Sequence, residues 1–296
     1  MDSEEKKKWL EAGRIGKEAR EYGISLAKEG TPLLDIARAI EEKIHSLGAK
    51  TAFPPNLSVN SVAAHYTPRF GDDTRLKKGD ILKIDVGASV DGFLSDTAAT
   101  VVVGGEENAL CRAARDALES GIKQVVPGKP IDNISREIER TIRDAGFSPI
   151  SNLGGHGIGK YDLHEAGFIP NIGGHSGATV RKEGVIAIEP FSTTGNGYVV
   201  DSSEVQIYAF KEDKPVRSRL GRKILEFVKK EYKELPFAKR WIVEKFGRLS
   251  ELEFKQLVAS GSLMEFNVLK EESGGMVAQF EHSVLIDGDE VIVTTR

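Results

Sequence analysis

Cysteine is almost absent from the sequence, because Cys111 is the only one among 296 residues. A single cysteine excludes an internal disulfide and fits a reducing compartment. The sequence also lacks the run of about 18 apolar residues that a transmembrane helix needs. Residues 1–6, MDSEEK, are charged and contain no apolar stretch typical of a signal peptide. We therefore expect a soluble cytoplasmic protein that has no membrane partner.

An excess of charge of either sign is also missing. The net charge is -4 at pH 7 and the sequence pI is about 6.0, which argues against binding nucleic acid over the whole surface. The hydrophobic content of 40% is ordinary for a globular protein. The length fits one large domain, or one domain that carries an insertion.

Two helical stretches repeat 98 positions apart in the first two-thirds of the chain. They are residues 30–41, GTPLLDIARAIE, and residues 128–139, GKPIDNISREIE. Each has a proline that we place at the first helical position, followed by apolar residues at helical spacing. Gly48 and Gly146 follow as stop signals.

Two strands repeat as well. Residues 81–85, ILKID, and residues 185–189, VIAIE, are apolar runs that end in a carboxylate, and His65 and His164 precede them at similar distances. The pattern predicts an α/β (α+β) fold with a pseudo-two-fold axis. Two αβ halves would form one curved antiparallel sheet with the helices outside. Side chains from both halves would converge on the axis, so a functional site is expected there.

The chain becomes helical and basic over residues 203–273. Helices are predicted over residues 214–233, 236–246 and 250–260. Between Lys211 and Arg248 the sequence has 13 Lys or Arg against 6 Asp or Glu. We interpret this segment as a helical, winged-helix-like insertion into a domain formed by residues 1–202 and 274–296. Its charge indicates either a solvated surface or a contact with nucleic acid or the ribosome.

Asp85 and Asp96 lie on either side of a predicted hairpin. The pair Asp91-Gly92 is a strong turn signal and would place Asp85 opposite Ala98. Asp85 and Asp96 then share one face, roughly 7–8 Å apart at the backbone. Two like charges so placed need a cation or a proton between them. The alternative is that both are unremarkable charges, one at a strand edge and one solvated.

Three further residues are candidates for the same site. Glu189 occupies the repeat position of Asp85, and Glu281 interrupts a hydrophobic strand, where an acid is rarely unpaired. A buried salt bridge is the alternative for Glu281. His156 stands between glycines, which would let the backbone approach closely. The spacing of those glycines fits neither phosphate-binding fingerprint.

Four carboxylates and one histidine form an oxygen-rich ligand set. Such a set favours a pair of divalent Mn, Fe(II), Co or Zn ions over a structural zinc site, which would use thiolates. Two ions roughly 3.5–4 Å apart can activate a bridging water. The residues therefore predict a dinuclear hydrolase with two attendant histidines, His65 and His164.

The five candidate ligands, in this order, resemble the ligand set of the pita-bread metallopeptidases. This family contains methionine aminopeptidases, X-Pro aminopeptidases and prolidases, besides relatives that are not enzymes. Within it the chain looks like the short type 2 methionine aminopeptidases of archaea. The motifs that carry this likeness are residues 52–60, AFPPNLSVN, residues 63–68, AAHYTP, and residues 278–282, AQFEH.

The resemblance implies an enzyme that removes the initiator methionine from nascent chains, and it implies a role for each residue. Asp85 would chelate one of two divalent ions, Asp96 and Glu281 would bridge both, and His156 and Glu189 would complete the other. Glu189 would also accept a proton from the bridging water, while His65 and His164 would bind the substrate amide and the oxyanion. Phe53 would line the methionine pocket.

Two positions depart from the family pattern. Glu165 follows the second histidine where alanine is frequent, and Phe266 stands where we expect a pocket tyrosine. Two other functions stay open at this point. One is cleavage at X-Pro bonds, and the other is a non-catalytic role in binding RNA or ribosomes through the insertion. We expect a monomer.

Overall fold

The computed structural model describes residues Met1–Arg296. The helices are α1 (Ser3–Leu26), α2 (Leu33–Ser46), α3 (Ala109–Ile122), α4 (Asp132–Asp144), α5 (Arg219–Glu231), α6 (Lys239–Phe246) and α7 (Ser250–Ala259). The strands before α3 are β1 (Lys50–Thr51), β2 (Asn56–Val59), β3 (Val62–Ala64), β4 (Ile81–Val86), β5 (Ala88–Val90), β6 (Phe93–Leu94) and β7 (Thr97–Val102).

Eleven strands follow α4. They are β8 (Ser148–Pro149), β9 (Gly154–Gly159), β10 (Asp162–Pro170), β11 (Glu183–Ile188), β12 (Phe191–Thr193), β13 (Val199–Phe210), β14 (Phe237–Ala238), β15 (Leu263–Glu271), β16 (Val277–Gln279), β17 (His282–Asp287) and β18 (Glu290–Val293). No helix is both long enough and apolar enough to cross a membrane.

The first half packs α1 and α2 against an antiparallel sheet of order β2-β4-β7. Side chains alternate along β4, so Ile84 faces the helices and packs with Ile36 and Ile40 in a buried core. Asp85 points to the other face of the same strand. The predicted register is confirmed, because Asp85 pairs with Ala98.

The second half repeats this arrangement. Helices α3 and α4 pack together, and their apolar faces share a core with Ile186 and Ile188 of β11 and with Val284 of β17. The sheet here has the order β10-β9-β11-β17-β18, with all neighbours antiparallel. The predicted duplication of an αβ unit therefore appears in the structure.

The two glycines that were predicted to end the repeated helices do so. Gly48 and Gly146 follow α2 and α4, and both have a φ of +85°, a left-handed conformation that favours glycine. The prolines differ slightly from the prediction. Pro32 is the N-cap of α2, and Pro130 lies two residues before α4, so both stand just outside the first turn.

Residues 203–273 contain more strand than the sequence predicted. The three helices are present, but α5 begins at Arg219 rather than at residue 214. Most of β13 and β15 also lies in this segment, and they join β14 and β3 in a sheet of order β14-β13-β15-β3. The predicted boundary at residue 203 therefore falls within β13. Residues 205–210, VQIYAF, form a short, mostly apolar run typical of a strand, and the prediction gave more weight to the basic helices that follow.

A buried ion pair connects this segment to the first half of the chain. The Arg240 side chain is inaccessible to solvent, and it pairs with Glu41 of α2. Its Nη1 also donates to Thr67 Oγ1 at 3.1 Å, and Trp241 Nε1 donates to Glu41 Oε1 at 3.0 Å. The helical segment is therefore held to α2 by a polar contact inside the protein.

Candidate active site

A cavity of about 420 Å³ opens where the two halves meet. All the residues that the sequence singled out for a site line this cavity: Phe53, His65, Asp85, Asp96, His156, His164, Glu189 and Glu281. The other histidines lie elsewhere. His45 and His175 are exposed, as expected, and the His282 side chain is buried against Thr295 at 2.8 Å.

Strand ends place the carboxylates. Asp85 is the penultimate residue of β4, and Glu189 follows the last residue of β11. Asp96 lies between β6 and β7, and Glu281 lies between β16 and β17. Pro190 cannot donate to a strand partner, so it fits the end of β11 at Glu189. The hairpin prediction is confirmed, since Val90 pairs with Phe93 across a turn at Asp91-Gly92.

Backbone contacts hold Asp96 and Glu281 together. The Ala98 N–H donates to the Glu281 carbonyl at 3.3 Å, and the Glu281 N–H donates to the Ala98 carbonyl at 2.9 Å. The Ser283 hydroxyl both accepts from the Asp96 N–H and donates to the Asp96 carbonyl, at 2.8 Å each. The carboxylates of the two halves are thus fixed relative to each other by main chain.

The side chains of the site are close enough to share ions. Ligand atoms of Asp96, His156 and Glu281 lie within 4.8 Å of one another. His156 Nε2 is 3.6 Å from Asp96 Oδ2 and 3.8 Å from Glu189 Oε1. Gln279 connects Asp85 to Glu189. Its Nε2 is 3.5 Å from Asp85 Oδ2 and 3.3 Å from Glu189 Oε2.

Several carboxylate oxygens are buried without a protein partner. They are Asp85 Oδ1, Asp96 Oδ1 and both oxygens of Glu281. Burial, with repulsion from Asp96, raises the pKa of Asp85, Glu189 and Glu281 well above that of an exposed carboxyl. Burial likewise raises the pKa of Asp96, to about 7. Unpaired buried anions are costly, so these residues fit divalent cations, which would satisfy the free oxygens.

His156 has the geometry of a neutral metal ligand. Its Nδ1 lies 3.0 Å from the Gly157 carbonyl, to which a protonated Nδ1 donates, and this leaves the Nε2 lone pair facing the carboxylates. Burial lowers the pKa of His156 to about 3. Gly155 allows the close approach of strands, because a Cβ there would lie 2.1 Å from the Ala187 carbonyl oxygen.

His65 and His164 both lie beside Phe266. Their rings are 5.7 Å and 6.5 Å from the Phe266 ring, and the His164 ring is 4.5 Å from that of His156. Burial lowers the pKa of His65 to about 4, and it also lowers that of His164. Both imidazoles are therefore neutral near pH 7. His65 has a φ of +64°, a strained backbone for a non-glycine residue, and such strain is common at functional sites.

Apolar side chains surround one part of the cavity. They include Phe53, Leu163, Phe191, Ile207, Pro236 and Phe266. Glu165, which departs from the family pattern, also lines the cavity, but its carboxylate pairs with Arg181. Phe266 stands where a pocket tyrosine was expected. Its ring lies beside both histidines and carries no hydroxyl.

Gln279 is the site residue that the sequence reasoning missed. It stands two residues before Glu281, and this spacing could have indicated a shared face. The carboxylates of the site were found by their charge. The side-chain amide of Gln279 is neutral and gives no such signal.

The match to a family model decides the evolutionary assignment. The model described as metallopeptidase family M24 matches residues 7–287. The chain belongs to metallopeptidase family M24. It is 49% identical to a methionine aminopeptidase of Pyrococcus abyssi, over 98% of this chain and 99% of that one. It is also 40% identical to a methionine aminopeptidase of Archaeoglobus fulgidus, over the full length of both.

Solved structures of M24 proteins have the same fold. The methionine aminopeptidase of Thermotoga maritima superposes with a TM-score of 0.73 at 24% identity, covering 100% of this chain and 98% of that one. A thermophilic Arx1 superposes with a TM-score of 0.88 at 16% identity, covering 99% and 91%. The predicted pita-bread fold, with its curved antiparallel sheet and outer helices, is confirmed for this M24 chain.

Proposed function

We propose that this M24 chain is a dinuclear, metal-dependent aminopeptidase that removes the initiator methionine from nascent proteins and peptides. The observation that carries the proposal is the set of buried, partnerless carboxylate oxygens beside His156, at one side of an apolar cavity. Its archaeal relatives are named methionine aminopeptidases along their whole length, which supports the same reaction here.

Each ligand has a proposed role. Asp85, Asp96, His156, Glu189 and Glu281 would hold the two ions. Asp85 would serve one ion, His156 and Glu189 the other, and Asp96 and Glu281 both. Two divalent ions bound there supply a Lewis-acidic pair that lowers the pKa of a bridging water and polarises the scissile carbonyl. The donor set suits Co, Mn, Fe(II) or Zn.

The remaining residues bind and orient the peptide. Glu189 has a carboxylate oxygen 3.8 Å from His156 Nε2, within reach of the cluster, and accepts the proton of the attacking water. His164 is neutral and can donate an N–H to the developing oxyanion. The Nδ1 of neutral His65 donates to the Asn267 carbonyl at 3.1 Å, so its Nε2 can accept the N–H of the substrate amide. Phe53 lines the pocket for the methionine side chain, and the apolar wall favours that residue over polar ones.

The free α-amine of the substrate explains why cleavage is limited to the terminal residue. The bound ions would accept the lone pair of a neutral α-amine, whereas the lone pair of an internal peptide nitrogen is delocalised into its carbonyl group. The cavity therefore takes the chain end, and the first peptide bond lies at the ions.

The test is release of the first residue from Met-Ala-Ser and from Ala-Pro-Ser by metal-free protein titrated with Mn, Fe(II), Co or Zn. Methionine release alone, saturating near two ions per chain, is expected. Cleavage of Ala-Pro-Ser instead would move the protein to the X-Pro branch. A chain that binds no divalent ion would contradict the hydrolase proposal altogether.

We further propose that the protein binds nascent chains near the ribosome. The insertion of residues 203–273 would make the contact with the ribosome. The exposed face of α5 supports this contact, because Arg219, Arg222, Lys223 and Lys230 lie along it. The remaining residues, 1–202 and 274–296, are proposed to form the catalytic domain of a cytoplasmic monomer.

RNA binding tests the contact. A duplex RNA should bind with an affinity that falls as salt rises, and a Lys223→Glu/Lys230→Glu variant should bind more weakly while cleaving Met-Ala-Ser normally. The matched control is Arg136→Glu/Arg140→Glu on α4. Sedimentation measures the oligomeric state.

A further inference from the structure

The side chain of Gln279 is buried between two of the four carboxylates. Its amide Nε2 donates to Glu189 Oε2 at 3.3 Å and to Asp85 Oδ2 at 3.5 Å. An amide carries two N–H groups, so one can serve each carboxylate. The reverse orientation would set the amide oxygen against two anions, and electrostatics therefore fix which end faces them.

The backbone of Gln279 is held by two strands that lie next to these carboxylates in the fold or in the chain. Its N–H donates to Thr100 Oγ1 at 2.8 Å, and Thr100 Oγ1 donates back to the Gln279 carbonyl at 2.6 Å. Thr100 lies on β7, the neighbour of β4, which carries Asp85. On its other side Gln279 pairs with Phe191 of β12, two residues after Glu189. These contacts are made by the backbone of Gln279, so its main chain is fixed from both halves of the fold.

We infer that Gln279 is a positioning residue that sets the rotation of the Asp85 and Glu189 carboxylates and thereby links the binding of the two cations. The inference rests on the proposed metal-dependent function, in which these carboxylates serve different ions. Asp85 Oδ1 has no protein partner, and Glu189 Oε1 faces His156 Nε2 at 3.8 Å. Each carboxylate thus gives one oxygen to the amide and keeps the other directed into the cluster.

The neutrality of the amide matters for this role. Four ionised carboxylates match the charge of two divalent cations. A lysine or arginine could also donate to Asp85 and Glu189, but its positive charge would repel the ions in a buried site. Glutamine orients the carboxylates without changing that balance.

Metal binding by variants of Gln279 tests the inference. Calorimetric titration of metal-free protein with Mn²⁺ gives the affinity for each ion, and absorption of the Co²⁺ form reports coordination geometry. Gln279→Met keeps the length of the side chain but cannot donate. We expect about 10–100-fold weaker binding of the ions and an altered Co²⁺ spectrum, as for other residues that orient metal ligands.

Ser192→Ala is the matched control. Ser192 lies on β12 beside the same strand pair, and its buried hydroxyl donates to the Leu110 carbonyl at 2.9 Å, away from the carboxylates. This variant loses a buried hydrogen bond too, so it measures the general structural cost. Its Mn²⁺ affinities and Co²⁺ spectrum should equal those of the wild type.

The outcomes separate this inference from the proposed function. A folded Gln279→Met protein with wild-type affinities and an unchanged Co²⁺ spectrum would overturn the positioning role. Wild-type protein that binds no divalent ion would instead remove the proposed function itself. Gln279→Asn, whose amide is one methylene shorter and falls away from the carboxylates, should show the same loss. If Gln279→Met fails to fold, Gln279→Asn is the deciding variant. Undiminished metal affinity of Gln279→Asn would also overturn the positioning role of Gln279.

Discussion

Glu281 and Ala98 exchange backbone hydrogen bonds in both directions, at 2.9 Å and 3.3 Å. Ala98 is also the partner of Asp85 in the β4–β7 pair. One residue of β7 therefore fixes the main chain of a carboxylate from the first half and of one from the late part of the chain. The geometry of the cluster depends on this double pairing.

Removing a proposed bridging carboxylate should remove the second ion. We expect Glu281→Ala, and likewise Asp96→Ala, to bind fewer than two ions per chain and to release no methionine from Met-Ala-Ser. Metal analysis after gel filtration, together with the peptide assay, measures both effects. The exposed Glu251→Ala is the control and should retain both ions. A Glu281→Ala protein with two tightly bound ions would contradict the bridging role.

Replacing His164 should affect the rate and leave the ions in place. Because His164 approaches His156 but contacts no carboxylate oxygen, His164→Ala should keep its metal content. Its kcat should fall about 10²–10⁴-fold, the usual loss for a removed proton donor. His175→Ala, on an exposed turn, should have normal kcat. Full turnover by His164→Ala would disprove the role given to this residue.

The sequence singled out residues that share one cavity because several of them break a local rule. A carboxylate within an apolar strand, such as Asp85, is conspicuous, and the duplication pointed from it to Glu189. The Asp91-Gly92 turn then fixed the register, since both residues have positive φ, as a tight hairpin of this type requires.

Other features could not be predicted from one sequence. The Glu281–Ala98 bridge joins residues far apart in the chain, and no local pattern encodes it. Arg240 looks like one more cation on a basic helix, yet it is buried by the packing of α6 against α2. Its burial depends on tertiary contacts that composition does not reveal.

The raised pKa of Asp96 predicts a pH-dependent stability for the metal-free protein. Burial raises the folded pKa of Asp96 to about 7, well above the ordinary value of an aspartate, so the folded state binds more protons between these two values. The stability contributed by protonation of Asp96 is complete below the unfolded pKa of this residue and is lost as the pH rises towards 7. Asp96→Asn should therefore gain stability over the wild type with rising pH, by roughly 2–4 kcal/mol in total.

Thermal unfolding in chelator, at pH values across that window, measures the difference. Subtracting the wild-type curve cancels the contribution of the buried histidines, which the two proteins share. Loss of the Asp96 charge also relieves the repulsion on Asp85, Glu189 and Glu281, which adds to the gain in the same direction. Asp289→Asn, in the β17–β18 turn, is the control and should follow the wild type at every pH. A constant difference between Asp96→Asn and the wild type would argue against a raised pKa.

The buried pair Glu41–Arg240 should be sensitive to loss of either partner. Burial raises the pKa of Glu41 despite the adjacent guanidinium, so an unpaired charge there would be costly. Arg240→Met should lower the free energy of unfolding by about 3–5 kcal/mol. Glu41→Gln/Arg240→Met, which removes both charges, should lose less.

Denaturant unfolding of the single and double variants gives these values. Arg38→Met, which breaks the exposed pair Arg38–Glu244, serves as the comparison and should cost at most about 1 kcal/mol. If the double variant is as unstable as Arg240→Met alone, the unpaired Glu41 carboxylate is not the cause of the lost stability.

The β7–Glu281 bridge also has a consequence for synthesis. Asp85 and Asp96 are made early, yet the bridge closes only when residue 281 has been translated. Until then Asp85 and Asp96 of the first half lack both Glu281 and the strand that buries them. A ribosome that stalls before this point yields a chain without peptidase activity. The cluster is therefore assembled only after Glu281 has been added to the chain.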